Sequence, residues 1–592
     1  KAPPPAPPAG IGFNFSFGST MVLQQKPSKA CLFGTLGAGG TAASIKIAGT
    51  DVNEQGIESY EVQAQVEYFA GVGDGGLWNA CLSPTAAGGT YTITATCTGC
   101  TNSTPAVLTE VTFGDVWYCG GQSNMALPLA HTLSRNISRD AILKGSYSNI
   151  RIHGLQGNMN PEQPWSTLKN ALSTNNDSDM SKFGGFSSTC YYFGESLSDE
   201  MEKQPGGAYP IGLVHTAWGG STIEQWLDNA TIATCANASM SAANQEWHDT
   251  RVLPYIGMTV KGFLWYQGEN DMHNYFGNSA MHTGYSCLMP ALVKQWRSLW
   301  SATPGTTDPD APFGIVTLPA TGSEGGASVG TMRWAQTAGY GTTPNEVLPN
   351  VFVAQGYDLV DAWSNDSCYG KFHCHDNSVP PPGGWGDGCD GYCASVRTTN
   401  WYMGPIHGRD KKPVGMRLAQ SAQVIAYGNK GWSAGPQISG CSKMGNKITV
   451  SFNATMMGSE AINIQPYYEG NAPPPPKGPN KYLTVGSMME VLTNASNFCM
   501  QQGGPKNMTC RDDGTGHRSD ASDAYWIPVN ITTGSSPNEV VLDLRSVNGS
   551  AFAIRYAWIG DCCSMRPATS DPCPLESCPI MGSMSKLPAN PF

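Results

Sequence analysis

Along the chain, apolar and polar positions fall into three successive patterns. In the first, short runs alternate residue by residue, as in Ala43-Ser44-Ile45-Lys46-Ile47-Ala48 and Thr90-Tyr91-Thr92-Ile93-Thr94-Ala95-Thr96, with glycine-rich turns between them. Period-two runs bounded by turns predict a β-sandwich over about residues 11–108, behind a proline-rich tail at 1–10. In the second, from about 109 to 435, strand-like runs (Phe313 to Leu318, Val351 to Ala354) alternate with helical stretches at Ser188 to Met201, Cys287 to Trp300 and Lys412 to Tyr427. That alternation predicts an α/β domain in which helices cover both faces of a parallel sheet. In the third, 436–592, β-like runs return (Lys447 to Phe452, Val540 to Leu544) and cysteines recur, which predicts a β-rich, disulfide-containing domain. The Pro473 to Pro476 tract reads as a loop.

Within the α/β region three strands end in glycine and polar residues. Gly114-Asp115-Val116-Trp117-Tyr118-Cys119-Gly120-Gly121-Gln122-Ser123-Asn124-Met125 delivers a serine onto a sharp turn. Such a turn leaves the hydroxyl proud of the sheet and the serine N–H free to face an oxyanion. Ile211 to Ser221 ends in Trp218-Gly219-Gly220-Ser221, and Val260 to Asn270 ends in Gln267-Gly268-Glu269-Asn270. The carboxyl ends of strands in an open α/β sheet share one crevice, so these loops can converge. His407, just ahead of the helical stretch from Lys412, is placed to act as a base toward Ser123.

These blocks carry a resemblance. Gly121-Gln122-Ser123-Asn124-Met125, Trp218 to Trp226, Trp265-Tyr266-Gln267-Gly268-Glu269 and Ile406-His407 with Arg409-Asp410-Lys411 stand in the order found in the sialate O-acetylesterase family, within the SGNH (GDSL-like) hydrolases. Weaker matches flank them at Met21-Val22-Leu23-Gln24-Gln25-Lys26-Pro27 and Ile554-Arg555-Tyr556-Ala557-Trp558. The resemblance implies an SGNH-type, flavodoxin-like sheet flanked by β domains. It further implies Ser123 as nucleophile, His407 as general base and then acid, and the N–H groups of Ser123 and Gly220 as oxyanion donors. Gln267 is expected to add a side-chain donor, with Gln122 and Glu269 supporting. The family's aspartate two or three residues before the histidine is replaced here by Pro405 and Gly404. Asp358 or Asp361 is the expected triad acid, Asp387 and Asp390 are further candidates, and a Ser-His dyad is the alternative. Trp218, Trp226, Trp265 and Tyr266 either pack the sheet or form a platform for a sugar face.

Composition narrows the partners. Of 592 residues only 13% are charged, against about 25% in an ordinary soluble domain, and 70 are glycine. The net charge of -11 and the lack of a basic run argue against nucleic acid or an anionic membrane as partner. No apolar stretch is long enough to span a bilayer. The absence of an initiator methionine leads us to expect a chain matured by signal-peptide removal. The 19 cysteines, with close pairs Cys97/Cys100, Cys389/Cys393 and Cys573/Cys578, are expected to be mostly disulfides. His373-Cys374-His375 lacks a second ligand pair, and neither metal nor cofactor is expected. Twelve Asn-x-Ser/Thr sequons, at Asn14, Asn102, Asn136, Asn176, Asn229, Asn237, Asn365, Asn453, Asn494, Asn507, Asn530 and Asn548, fit a secreted or lysosomal glycoprotein. The expected function is O-acetyl ester hydrolysis on an acetylated sugar or glycan. The alternative is a catalytically degenerate glycoprotein of that fold with a structural or carbohydrate-binding role.

Overall fold

The computed structural model describes residues 10–49, 59–172, 183–238, 245–273, 283–319, 328–359, 407–465, 488–493, 499–501, 508–510, 526–558 and 575–592. The sandwich expected at the amino end is present as two facing sheets. One orders the strands Gly12–Phe13, Cys31–Leu36, Gly76–Cys81 and Gln65–Tyr68; the other contains Ala42–Gly49, Ser59–Gln63 and Gly88–Thr98. Alternation along Ala42–Gly49 puts Ala43, Ile45 and Ile47 inside and leaves Lys46 in solvent, as a half-buried strand requires.

The sandwich is not separated from the α/β domain by a hinge. Strand β1, Ala106–Gly121, is 16 residues long. Its first part pairs with Gly88–Thr98 and Val22–Gln24, and its last part enters the parallel sheet. The boundary expected at 108/109 therefore falls inside one strand. Where β1 passes between the two regions, Asp115 accepts hydrogen bonds from Gln24, Gln25, Tyr209 and Tyr427. That junction uses the two glutamines of the amino-terminal family match.

The parallel sheet adds β2 (Ile150–Gly154), β3 (Gln163–Thr167), β4 (Ile211–His215), β5 (Gly262–Tyr266), β6 (Phe313–Val316) and β7 (Val351–Ala354). Their spatial order is β3-β2-β4-β1-β5-β6-β7, with only β3 antiparallel. β4 and β5 are buried along their whole length, which matches their uninterrupted apolar sequences. Because the chain builds outward from β1 to one side and then crosses to the other, β1 lies at the switch point, where such sheets bind ligands at their carboxyl ends. Helices α1 (Ser123–Ala126), α2 (Ser188–Glu202), α3 (Tyr285–Trp300), α4 (Ser328–Gln336) and α5 (Lys412–Ile425) cover the sheet. The Cys119–Cys190 disulfide ties β1 to α2.

The carboxyl-terminal region keeps its own core, including Val450, Val491, Leu542, Tyr556 and Ile580. It is fastened to the α/β domain by Arg333, which donates to Leu318 O and Ala557 O, and by Gln355 to Asn590 Oδ1 and Tyr357 to Ala589 O. No helix among the described residues is long and apolar enough to cross a membrane.

Candidate active site

β1 ends in Gly120 and Gly121. Gly121 has φ 134°, and a Cβ there would lie 2.3 Å from Tyr266 O, so only glycine allows β1 and β5 to run this close into the turn. Gln122 is extended and Ser123 opens α1. Ser123 is 7% exposed, and among the described residues neither its hydroxyl nor its N–H has a hydrogen-bond partner.

The second glycine loop leans on this turn through Trp218 N–H to Gly121 O at 3.0 Å. Asn158 holds Gly219 from both sides, donating to its O and accepting from its N–H, both at 2.9 Å. Gly220, at φ 82°, is exposed and its N–H has no acceptor among the described residues. The turn Ile223–Trp226 follows, with Gln225 Oε1 accepting Thr222 N–H at 3.0 Å.

The third loop corrects the sequence expectation for Gln267. Its side chain is fully buried, and its Nε2 faces Gln122 Oε1 at 3.0 Å, Ser221 O at 3.0 Å and Asp271 Oδ2, while its Oε1 accepts from Tyr285 at 2.9 Å. Every hydrogen of that amide is engaged, so Gln267 knits the three loops together and has none left for substrate. The available donor is Asn270, partly exposed, whose Nδ2 gives one hydrogen to Gly220 O at 2.5 Å and whose N–H faces Gln122 Oε1 at 3.4 Å. The sequence signal for it was the asparagine two positions beyond Gly268. Ser123 N–H, Gly220 N–H and Asn270 Nδ2 make a donor set at the carboxyl ends of three adjacent strands, suited to a developing oxyanion.

His407 begins the described segment on the other flank. Its turn packs against the chain that follows the nucleophile: Leu133 N–H donates to Arg409 O at 3.2 Å, and Lys411 Nζ donates to Asn124 Oδ1 at 2.6 Å. Asn124 in turn donates to Glu269 Oε1 at 2.5 Å, so Glu269 anchors the residue after the nucleophile. His131 is a neighbour of His407 that the sequence did not flag. Burial first, then Arg135 and His407, lower its pKa to about 4.

Asp358 also calls for a correction. It lies buried with both oxygens on Arg417, at 2.5 Å each, and Arg417 also caps Gln355 O. A carboxylate committed to a buried guanidinium braces β7 against α5 and is not the partner of His407. Asp361, Asp387 and Asp390 lie outside the described residues, as do His373-Cys374-His375 and the pair Cys389/Cys393.

Trp226, Trp265 and Tyr266 are buried and pack the sheet. Trp218 alone of the four is partly exposed; it stacks on Trp247 with centroids 4.4 Å apart, and the Arg251 guanidinium lies 4.6 Å from its ring.

Residues 113–348 match the family described as carbohydrate esterase, sialic acid-specific acetylesterase, and residues 487–592 match the sialate O-acetylesterase C-terminal domain. The chain is 26% identical over 610 residues to the sialate O-acetylesterase of Homo sapiens, covering 99% of this chain and 93% of that one. It is 27% identical over 632 residues to that of Rattus norvegicus, covering 99% and 94%. The crystal structure of a carbohydrate acetylesterase from Xanthomonas citri shares the fold, with a TM-score of 0.60 at 19% identity over 98% of this chain and 99% of that one.

Proposed function

Because the chain belongs to the sialate O-acetylesterase family and is a carboxylic ester hydrolase, we propose that it removes O-acetyl groups from sugars of the sialic acid type through an acyl-enzyme on Ser123. The observation that carries this reading is the unencumbered Ser123 at the switch-point strand end, beside the N–H of Gly220 and the amide of Asn270.

In this mechanism His407 takes the proton of Ser123 Oγ as that oxygen bonds to the acetyl carbon. The carbonyl oxygen becomes an oxyanion facing Ser123 N–H, Gly220 N–H and Asn270 Nδ2, donors that need no rearrangement as the charge develops. The carbon–oxygen bond to the sugar breaks, and the departing alkoxide takes the proton from His407. Water, deprotonated by the same imidazole, attacks the acetyl-serine, and acetate leaves with Ser123 restored. Trp218, beside Gly219 and Gly220, is the aromatic face available to the sugar.

Export through the secretory pathway as a glycoprotein is part of the proposal. Supporting it are the disulfides Cys31–Cys81, Cys97–Cys100, Cys119–Cys190 and Cys235–Cys287. Among the sequons in described residues, Asn102, Asn136, Asn229, Asn237, Asn530 and Asn548 are exposed and Asn14 and Asn453 partly so; Asn176, Asn365, Asn494 and Asn507 lie outside the described residues. The test is fluorophosphonate labelling followed by peptide mapping. Labelling at Ser123 that an O-acetylated sialic acid suppresses is expected, and absence of label from Ser123 in folded protein would refute the acyl-enzyme.

A further inference from the structure

Helix α4 stands between the third donor loop and the carboxyl-terminal domain. Residues three and four apart share a face of a helix, so Met332 and Gln336 look one way and Gly330, Arg333 and Trp334 another. On the first face Gln336 is fully buried and commits its whole amide. Its Nε2 donates to Gln267 O at 2.8 Å and to Val316 O at 3.1 Å, and its Oε1 accepts Leu318 N–H at 3.0 Å. Gly268, at φ 143°, turns directly against this face: a Cβ there would lie 3.4 Å from both Gln336 Nε2 and Met332 Cγ. The loop held in this way carries the Gln267 side chain to Gln122 and Ser221 and then presents Asn270 to Gly220 O.

The second face belongs to the carboxyl-terminal domain. Arg333 Nη1 donates to Ala557 O at 2.8 Å and Trp334 Nε1 to Pro591 O at 3.3 Å. The Trp558 indole lies over Gly330 so closely that a Cβ on Gly330 would fall 2.4 Å from the ring. The core of an indole has no loose end to swing aside, so this ring sets how near α4 comes to the domain behind it. From Gly330 to Gln336 is less than two turns, about 9 Å along the helix axis. A short, stiff element thus joins the Trp558 ring to the Gln267 carbonyl.

We infer that the carboxyl-terminal domain sets the alignment of the Asn270 donor through α4, with Trp558 fixing the helix and Gln336 fixing the loop. Both are positioning residues, since Trp558 acts on Gly330 and Gln336 on the Gln267 carbonyl, and neither acts on the ester. A shift of α4 would carry the third loop with it and move Asn270 relative to Ser123 and Gly220, whose own strands stay in place. Only this activity consequence rests on the esterase reading; the mechanical link stands on the contacts alone.

Gly330→Ala in the full chain tests the link, because alanine favours the helix yet drives a methyl group into the Trp558 ring. Hydrogen–deuterium exchange comes first. Exchange across residues 266–273 is expected to rise at least about threefold while β1 exchanges as in the parent. Unchanged exchange at 266–273 overturns the inference whether or not the protein cleaves acetate. With an aryl acetate, kcat should fall about tenfold or more while KM moves less than about threefold. Gly330→Ala/Trp558→Leu, which removes the collision, should bring kcat back to within about threefold of the parent, a rescue that general loss of stability does not produce. Faster exchange with kcat unchanged overturns the positioning role, and a double variant no better than the single one overturns Trp558 as its source. If Gly330→Ala does not fold, Gln336→Met, which keeps the side-chain volume and removes the bonds to Gln267 O, Val316 O and Leu318 N–H, replaces it in the exchange and kcat measurements.

Discussion

The two flanks of Ser123 are built in different ways. On one, the donors sit at the ends of three adjacent parallel strands, and side chains lock their loops: buried Gln267 to Gln122 and Ser221, buried Asp271 to Ile223, and partly exposed Asn270 to Gly220. On the other, His407 arrives on a turn ahead of α5, held by a backbone bond to Arg409 O and by Lys411 on Asn124. An oxyanion is stabilised only by donors already in position, and strand ends supply that accuracy. A base must reach a proton and then release it, a task that here falls to a side chain carried on a turn. The difference teaches that polar residues near a nucleophile serve either geometry or chemistry. Gln267 and Asp358, both expected to do chemistry, are committed to geometry.

The largest expected effect separates those roles at Asp358. Asp358→Ala strands a buried guanidinium and should destabilise the fold by about 3–5 kcal/mol, read as a lower denaturation midpoint. The folded fraction should keep kcat within about tenfold; a loss near 10⁴ would restore Asp358 as the triad acid. On the donor side, Asn270→Ala should lower kcat about 10²–10³-fold while leaving the denaturation midpoint almost unmoved. A kcat within threefold of the parent would remove Asn270 from the donor set.

Acid should weaken both flanks. Burial is the main cause that lowers His153 to about 4 and His215 to about 3 at the ends of β2 and β4, and His131 to about 4 beside His407. The unfolded chain binds these protons near 6.5 and the folded chain does not, so the stability is present above pH 6.5 and lost as the pH falls toward about 4. Each histidine should contribute roughly 3 kcal/mol to that loss. Thermal melts across this range check it: His153→Gln should flatten the curve, and an unchanged slope would contradict the assignment. The smallest effect belongs to Lys411→Met, which removes one charged hydrogen bond to Asn124 and should cost roughly tenfold in kcat.

Much of the fold was legible because periodicity is a local signal. Val351–Ala354 and Lys447–Phe452 appear with the boundaries read from sequence, and the helix expected at Ser188 to Met201 ends one residue later. The glycine blocks were legible for a steric reason, since positive φ and close backbone approach at Gly121 admit no other residue. What escaped depends on tertiary contact. The boundary at 108/109 vanished because β1 is one strand serving two regions. The Cys119–Cys190 pairing spans 71 residues and no spacing rule reveals it. Gln267 was chosen over Asn270 because sequence alone does not show which amide has its hydrogens already occupied.

The central claim is that Ser123 and His407 act together on an acetyl ester. Acetate release from an aryl acetate and from an O-acetylated sialic acid, by the parent, Ser123→Ala and His407→Ala, tests it most directly. Both substitutions should lower kcat by about 10³-fold or more in folded protein with the donor loops intact. Activity that survives either substitution would contradict it.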